Sequence, residues 1–199
     1  VIKVLLADDH TLVRQGLRAL LLQDPKIEVI AEAADGRETV ELAERLRPDV
    51  AVIDIAMPKL FGIEVTRRIR KISPKTKVIL LSMYPEYEGE AFQVGASGYI
   101  LKEETTHKLI ATIHDVVEGK NLISPEDTNK RYFSLTPRER EVLQLIAEGY
   151  TNAEIAKILC RSVATIRNHR ANLMKKLNLH GVAELIRFAA EEGIIRLEG

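Results

Sequence analysis

An acidic pair, Asp8-Asp9, a lone Asp54, the hydroxyl of Ser82 and the ammonium of Lys102 each stand where an apolar run of the chain ends. Three carboxylates gathered at one place repel and raise one another's pKa unless a cation joins them. Mg²⁺ suits such a place, since it is a hard ion that takes a few carboxylate oxygens, keeps some waters and also binds phosphoryl oxygens. A hydroxyl and a lysine acting as a point charge complete a set able to hold a phosphoryl group. Taken singly, an acidic pair suits a strand-end turn, a serine caps helices and a lysine is usually solvated. Their recurrence at successive strand ends is what points to a site.

The elements that must position these groups follow from the patterning. Asp49 to Pro58 runs an unalternating Val-Ala-Val-Ile segment into Asp54 and then Met57-Pro58. Such a run reads as a strand buried on both faces, as in a parallel sheet covered by helices, and Pro58 turns the chain before a helix opens at about Gly62. Further strands are expected at Ile2 to Ala7, Ile27 to Ala33, Val78 to Ser82 and Ser97 to Leu101. Helical faces fall between them: Leu12, Leu17, Leu20 and Leu21; Val40, Leu42, Ala43 and Leu46; Val65, Ile69 and Ile72; and Leu109, Ile110, Ile113, Val116 and Val117. The fourth helical segment, around Pro85 to Gln93, carries Gly89 and a short apolar stripe, which predicts a short or mobile element. Five βα units predict an α/β fold with a doubly wound, five-stranded parallel sheet, and ligands bind at the C-terminal edge of such sheets.

With Met57-Pro58-x-x-x-Gly62 and Gly98-Tyr99-x-x-Lys102 in the same order, residues 1–120 resemble the receiver domain of a two-component response regulator, a flavodoxin-like fold. The resemblance implies that Asp54 takes a phosphoryl group from a sensor histidine kinase as an acyl phosphate. It further implies that Asp9, with Asp8, Asp54 and the backbone carbonyl of Ala56, holds Mg²⁺, and that Ser82 and Lys102 contact the phosphoryl oxygens. Tyr99 is then expected to swing inward behind Ser82 and remodel the surface around the fourth helix. Ala56 offers no side-chain amide to orient a water and Tyr84, two past Ser82, is bulky, so slow self-dephosphorylation is expected. Glu103 follows Lys102, which leaves the geometry of that peptide bond open. His10 is read as structural, and His107, His114 and His180 are given no role.

Residues 121–134 lack apolar periodicity and read as a linker. Beyond it, Thr136 to Glu139 and Thr151 to Glu154 are capping boxes, Gly149 stops the first helix, and Ser162 caps a longer helix to about Leu177 after a tight turn at Cys160-Arg161. A final helix is expected from Val182 to about Glu192. A short helix, a brief turn and a longer helix make a helix-turn-helix. Residues 155 to 183 hold Lys157, Arg161, Arg167, Arg170, Lys175 and Lys176 and no Asp or Glu. Val163, Ile166, Leu173, Met174 and Leu177 are expected to face the core, leaving Arg167, Asn168, Arg170, Ala171 and Lys175 outside. Arg can read guanine and Asn adenine in the major groove, while other cations meet phosphates.

Leu135-Thr-Pro-Arg-Glu139, Gly149, Asn152-x-Glu154-Ile155-Ala156, Ser162-x-x-Thr165-Ile166 and His169 resemble the LuxR-type output domain of the NarL/FixJ response regulators. The resemblance implies a second, smaller all-α domain over 135–199 that puts Thr165, Arg167, Asn168, Arg170, Ala171 and Lys175 on promoter DNA. It also implies a homodimer when phosphorylated or DNA-bound, formed partly by the last helix, and it allows RNA polymerase as a partner.

The 199 residues are 46% hydrophobic and carry 29 Lys plus Arg against 29 Asp plus Glu, so net charge alone points to no partner. Cys160 is the only cysteine; with no internal disulfide available it is expected to be a small buried hydrophobe in a reducing cytoplasm. The first apolar run is too short for a signal peptide or membrane span, so a soluble, cytoplasmic protein without a membrane partner is expected. An Asp-nucleophile phosphohydrolase is disfavoured, because Ala56 stands where such enzymes place a second Asp. The reading is therefore a regulator and not an enzyme in the ordinary sense, the receiver catalysing only its own phosphoryl transfer and dephosphorylation. The alternative is an atypical regulator that binds DNA independently of phosphorylation.

Overall fold

The computed structural model describes residues 1–120 and 135–195; the expected linker, 121–134, lies outside the described residues. The chain forms two compact units, Val1–Thr128 and Asn129–Gly199. In the first, β1 (Ile2–Ala7), β2 (Ile27–Ala33), β3 (Val50–Asp54), β4 (Lys77–Ser82) and β5 (Gly98–Leu101) alternate with α1 (Thr11–Leu21), α2 (Gly36–Leu46), α3 (Gly62–Ile72), α4 (Glu88–Gln93) and α5 (Thr105–Val117). The strands pair in parallel in the order β2-β1-β3-β4-β5. The order therefore reverses between β1 and β3, and in open sheets of this kind ligands bind beyond the C-terminal ends of the strands at such a reversal.

Every residue of β3 is buried, as its unalternating sequence requires. Val4, Leu6, Val52, Ile79 and Leu81 point to the face that packs against Leu17 and Leu21 of α1 and Leu109, Ile113 and Val116 of α5. The intervening Leu5, Ala51, Ile53 and Leu80, also fully buried, serve the other face. The fourth helix is short, with a single 3-10 turn at Pro85–Tyr87 leading into it. No peptide bond among the described residues is cis, that between Lys102 and Glu103 included.

Some expectations need correction. Leu12 is 84% exposed: five residues before Leu17, it lies roughly 140° around a helix of 3.6 residues per turn and so off the buried face. Val117, the last residue of α5, is exposed as well. Cys160 is exposed and not buried, because it takes a left-handed turn conformation, φ 51°, at the end of its helix.

The second unit is all helical: α6 (Pro137–Ala147), α7 (Asn152–Ile158), α8 (Val163–Leu177) and α9 (Val182–Glu191). Both capping boxes are complete, Thr136 with Glu139 and Thr151 with Glu154, and the Ser162 hydroxyl accepts from the Thr165 N–H. Gly149, at φ 91°, ends α6 in a conformation that side chains resist. Val142, Leu145, Ile155, Ile166, Leu173, Leu177, Leu185 and Ala189 make its core. Among the described residues no helix is long and apolar enough to cross a membrane.

Candidate functional site

The acidic groups meet at the point where strand order reverses. Asp8 follows β1 and Asp54 ends β3, and both side chains are buried, at 0% and 1% exposure. Two unneutralised carboxylates there would be expensive. Lys102, on the 3-10 turn after β5, supplies the charge: its Nζ lies 2.8 Å from Asp8 Oδ2 and 2.8 Å from Asp54 Oδ2. Asp9 is partly exposed, and the His10 Nδ1 lies 2.8 Å from its Oδ1. The His10 N–H donates to Asp8 Oδ1 at 2.8 Å.

Two arginines brace this corner. The Arg14 Nη1 donates to the Asp8 carbonyl at 2.7 Å while its Nε reaches Glu32 on β2 at 3.1 Å. Arg18 holds the other Glu32 oxygen at 2.8 Å, and this bond, followed by that of Arg14, keeps the Glu32 carboxyl below its usual range. The loop after β3 is fixed from the opposite side. Lys59, at φ 64°, places its Nζ 2.5 Å from Asp35 Oδ2, and the Gly36 N–H donates to the Pro58 carbonyl. Burial works against charge on Asp35, yet Lys59 and the backbone N–H groups of α2 hold its carboxyl below the ordinary value. Gly62 is required by close approach: a Cβ there would lie 2.7 Å from the Asp54 carbonyl oxygen and from the Ile55 Cα.

Ser82 is buried at the end of β4, but its hydroxyl is turned into the loop that follows. Its Oγ accepts from the Tyr84 N–H at 2.9 Å and donates to the Tyr84 carbonyl at 3.2 Å. The Tyr99 hydroxyl donates to that same carbonyl. The two residues expected to act in succession thus meet on one peptide group. An aromatic run continues from there: Tyr84 packs edge-on against Tyr87, and Tyr87 against Phe61 at the start of α3. Nothing in the spacing of these aromatics announces that contact.

Asp8, Asp9, His10 and Asp54 each offer one ligand atom, all within 4.8 Å of one another. This acidic cluster is compatible with a divalent metal ion, and its carboxylates suit a hard one. The Ala56 N–H donates to Asp54 Oδ1 at 3.3 Å. His10, read as structural from the sequence, belongs to the cluster; its position directly after the acidic pair was the available signal.

On the second unit, Arg167, Asn168, Ala171 and Lys175 of α8 are exposed and recur at three- and four-residue spacing, on one side of the helix. Asn172, which the sequence reading passed over, is exposed beside them. Thr165 and Arg170 are half-buried, and the Thr165 Oγ1 lies 2.8 Å from the Ser162 Oγ within the helix cap. Lys176 leaves the basic stripe altogether, its Nζ bonding Glu139 Oε2 at 2.7 Å. Val163 and Met174 are only half-buried, and Ile166, Leu173 and Leu177 carry the packing.

Residues 4–114 match the response regulator receiver domain, and residues 133–189 match the bacterial regulatory proteins of the luxR family. The chain is 38% identical to the transcriptional regulatory protein MctR of Rhizobium johnstonii, over 100% of this chain and 97% of that one. It is 33% identical to the transcriptional regulatory protein DegU of Brevibacillus brevis, over 98% and 96%. A solved structure of RcsB from Salmonella enterica serovar Typhimurium, bound to promoter P1flhDC in the presence of phosphomimetic BeF3-, aligns with a TM-score of 0.68 at 27% identity, covering 96% of this chain and 98% of that one.

Proposed function

The chain belongs to the transcriptional response regulators that join a receiver to a LuxR-type DNA-binding domain, and from that premise we propose that phosphorylation of Asp54 by a sensor histidine kinase controls its dimerisation and its hold on promoter DNA. The observation that carries the proposal is the Lys102 ammonium shared at 2.8 Å between buried Asp8 and Asp54. That arrangement sets a cation against the carboxylate that would act as nucleophile, where phosphoryl charge would arrive.

In the proposed step an Asp54 carboxylate oxygen attacks phosphorus, the new P–O bond forming as the P–N bond of a phosphohistidine breaks. The electron pair leaves on the imidazole nitrogen, which takes up a proton. Asp9, Asp54 and the Ala56 carbonyl, with Asp8, would hold Mg²⁺, which when bound neutralises phosphoryl charge. Lys102 would exchange its carboxylate partners for a phosphoryl oxygen. Ser82 would turn from Tyr84 to donate to another, and so release part of the loop that Tyr99 also grips. On this reading the receiver would span 1–120, a linker 121–134 and the DNA-binding domain 135–199. Arg167, Asn168, Ala171 and Lys175 would enter the major groove, with Thr165 and Arg170 at its edge, where α9 would assist pairing of two copies. RNA polymerase would be met on the promoter, and the work belongs in the cytoplasm, where that DNA lies.

Light scattering with and without beryllofluoride and Mg²⁺, using Asp54→Ala as control, tests the proposal. A rise in mass that the variant lacks is the expected result. DNA affinity equal in all four samples, with no change in mass, would instead favour regulation independent of phosphorylation.

A further inference from the structure

A second cationic run lies in the first unit. From residue 65 to 85 the chain carries Arg67, Arg68, Arg70, Lys71, Lys75 and Lys77 and no Asp or Glu. Cations in the last turn of a helix complement its dipole, which accounts for Arg70 and Lys71 at the end of α3. It does not account for Lys77, half-buried as the first residue of β4 and without an acidic partner among the described residues. Lys77 pairs in register with Val50, the first residue of β3, whereas Asp54 ends that strand. The two places are therefore separated by roughly 13 Å of strand, at opposite edges of the sheet.

A cavity of about 300 Å³ opens at this edge, lined by Arg70, Lys77, Lys120, Ser97 and Phe92 among others. Lys120 is already matched, its Nζ lying 2.6 Å from Asp115 and 3.3 Å from Glu118. Among the described residues neither Arg70 nor Lys77 has an acidic side-chain partner. The Arg70 Nη1 donates to the Pro74 carbonyl at 3.0 Å, which anchors one corner of the guanidinium. Gly95, at φ 86°, leaves that side chain its place: a Cβ there would come within 3.2 Å of the Arg70 Nε. A planar guanidinium, a half-buried ammonium and a serine around a polar hollow form a donor set without a counter-anion.

We propose that this cavity is a binding site for phosphoryl oxyanions, with Arg70 and Lys77 as its charged walls and Ser97 as a neutral donor. The volume suits two or three linked phosphoryl groups better than a single carboxylate, and a guanidinium can grip such oxygens in pairs. The same chemistry has two sources, a free polyphosphate chain or the phosphodiester backbone of the DNA that this family binds.

The test uses the full chain in Mg²⁺-free buffer, titrated with tripolyphosphate by calorimetry and by amide NMR. Shifts are expected at Gly95, Ala96, Ser97 and Gly119. Arg70→Gln and Lys77→Gln should each weaken binding about tenfold, as loss of one charge-assisted hydrogen bond would, and Lys77→Arg should retain it. Binding by both glutamine variants equal to that of the parent, or shifts confined to other surfaces, would overturn the proposal. The source is then read from the salt dependence of duplex binding. A slope reduced by about one for each lost phosphate contact identifies the DNA backbone, and an unchanged slope beside lost tripolyphosphate binding identifies the free anion.

Discussion

Replacing Lys102 by Met removes the ammonium that reaches both Asp8 and Asp54, and keeps the bulk of the side chain. Each carboxylate loses a bond of 2.8 Å, and each is essentially without solvent contact. Breaking one partner out of a buried ionic group costs about 3–5 kcal/mol, because the remaining charge is left unmatched. One lysine serves both acids, so the loss is counted once. A domain of this size loses roughly 4 °C of melting temperature per kcal/mol, so the first unit should melt about 12–20 °C lower in metal-free buffer. Mg²⁺ should then restore part of the loss, since the vacated carboxylates can take a dication; at a hundredfold excess over its dissociation constant the return is about 2.7 kcal/mol. Differential scanning calorimetry with EDTA and with added Mg²⁺ measures both. A variant that melts within about 2 °C of the parent without metal, or that gains nothing from Mg²⁺, would refute the idea that Lys102 is the resting counter-ion of the site.

Gly62→Ala should destabilise the first unit by about 2 kcal/mol or more and slow phosphoryl uptake from acetyl phosphate, because its Cβ would be driven into the Asp54 carbonyl; denaturant melts and phosphate incorporation report the two effects. Burial opposes charge on Glu139, but Lys176 and Thr136 hold its carboxyl below the usual range. A lowered folded-state pKa gives stability that is present above the unfolded value, about 4.3, and lost as pH falls through the folded one. The second unit should therefore weaken below about pH 4.3 less steeply in Lys176→Met than in the parent, by circular dichroism melts. Arg167→Ala should weaken specific DNA binding by about 1–3 kcal/mol; unchanged discrimination between operator and random duplex would remove Arg167 as a base reader. The acyl phosphate should be long-lived, given Ala56 and Tyr84 beside the site, and decay within seconds in a labelled-phosphate chase would contradict that.

Strand-forming runs were legible because burial on both faces leaves no alternation: β1, β2 and β3 have the bounds expected from Ile2, Ile27 and Val50 onward. Gly62 and Pro58 similarly announced where α3 begins. What local patterning could not carry was contact across large separations. Arg14 on Glu32, or Lys59 on Asp35, joins residues whose types are ordinary on any surface. The turn of Ser82 and Tyr99 toward Tyr84 is a choice of rotamer and loop path, and no residue type dictates it. Cys160 was misread because its type favours burial, whereas the αL turn between α7 and α8 fixed its exposure.

That turn has a practical consequence. The single thiol of the chain is exposed two residues before Ser162, which caps α8, with its sulfur 3.8 Å from the Lys157 carbonyl. A maleimide dye would therefore attach at one place, without engineered cysteines, next to the helix proposed to enter the major groove. Its emission and its rate of alkylation would then report DNA docking in the natural sequence, and a duplex that shields Cys160 would map its own footprint.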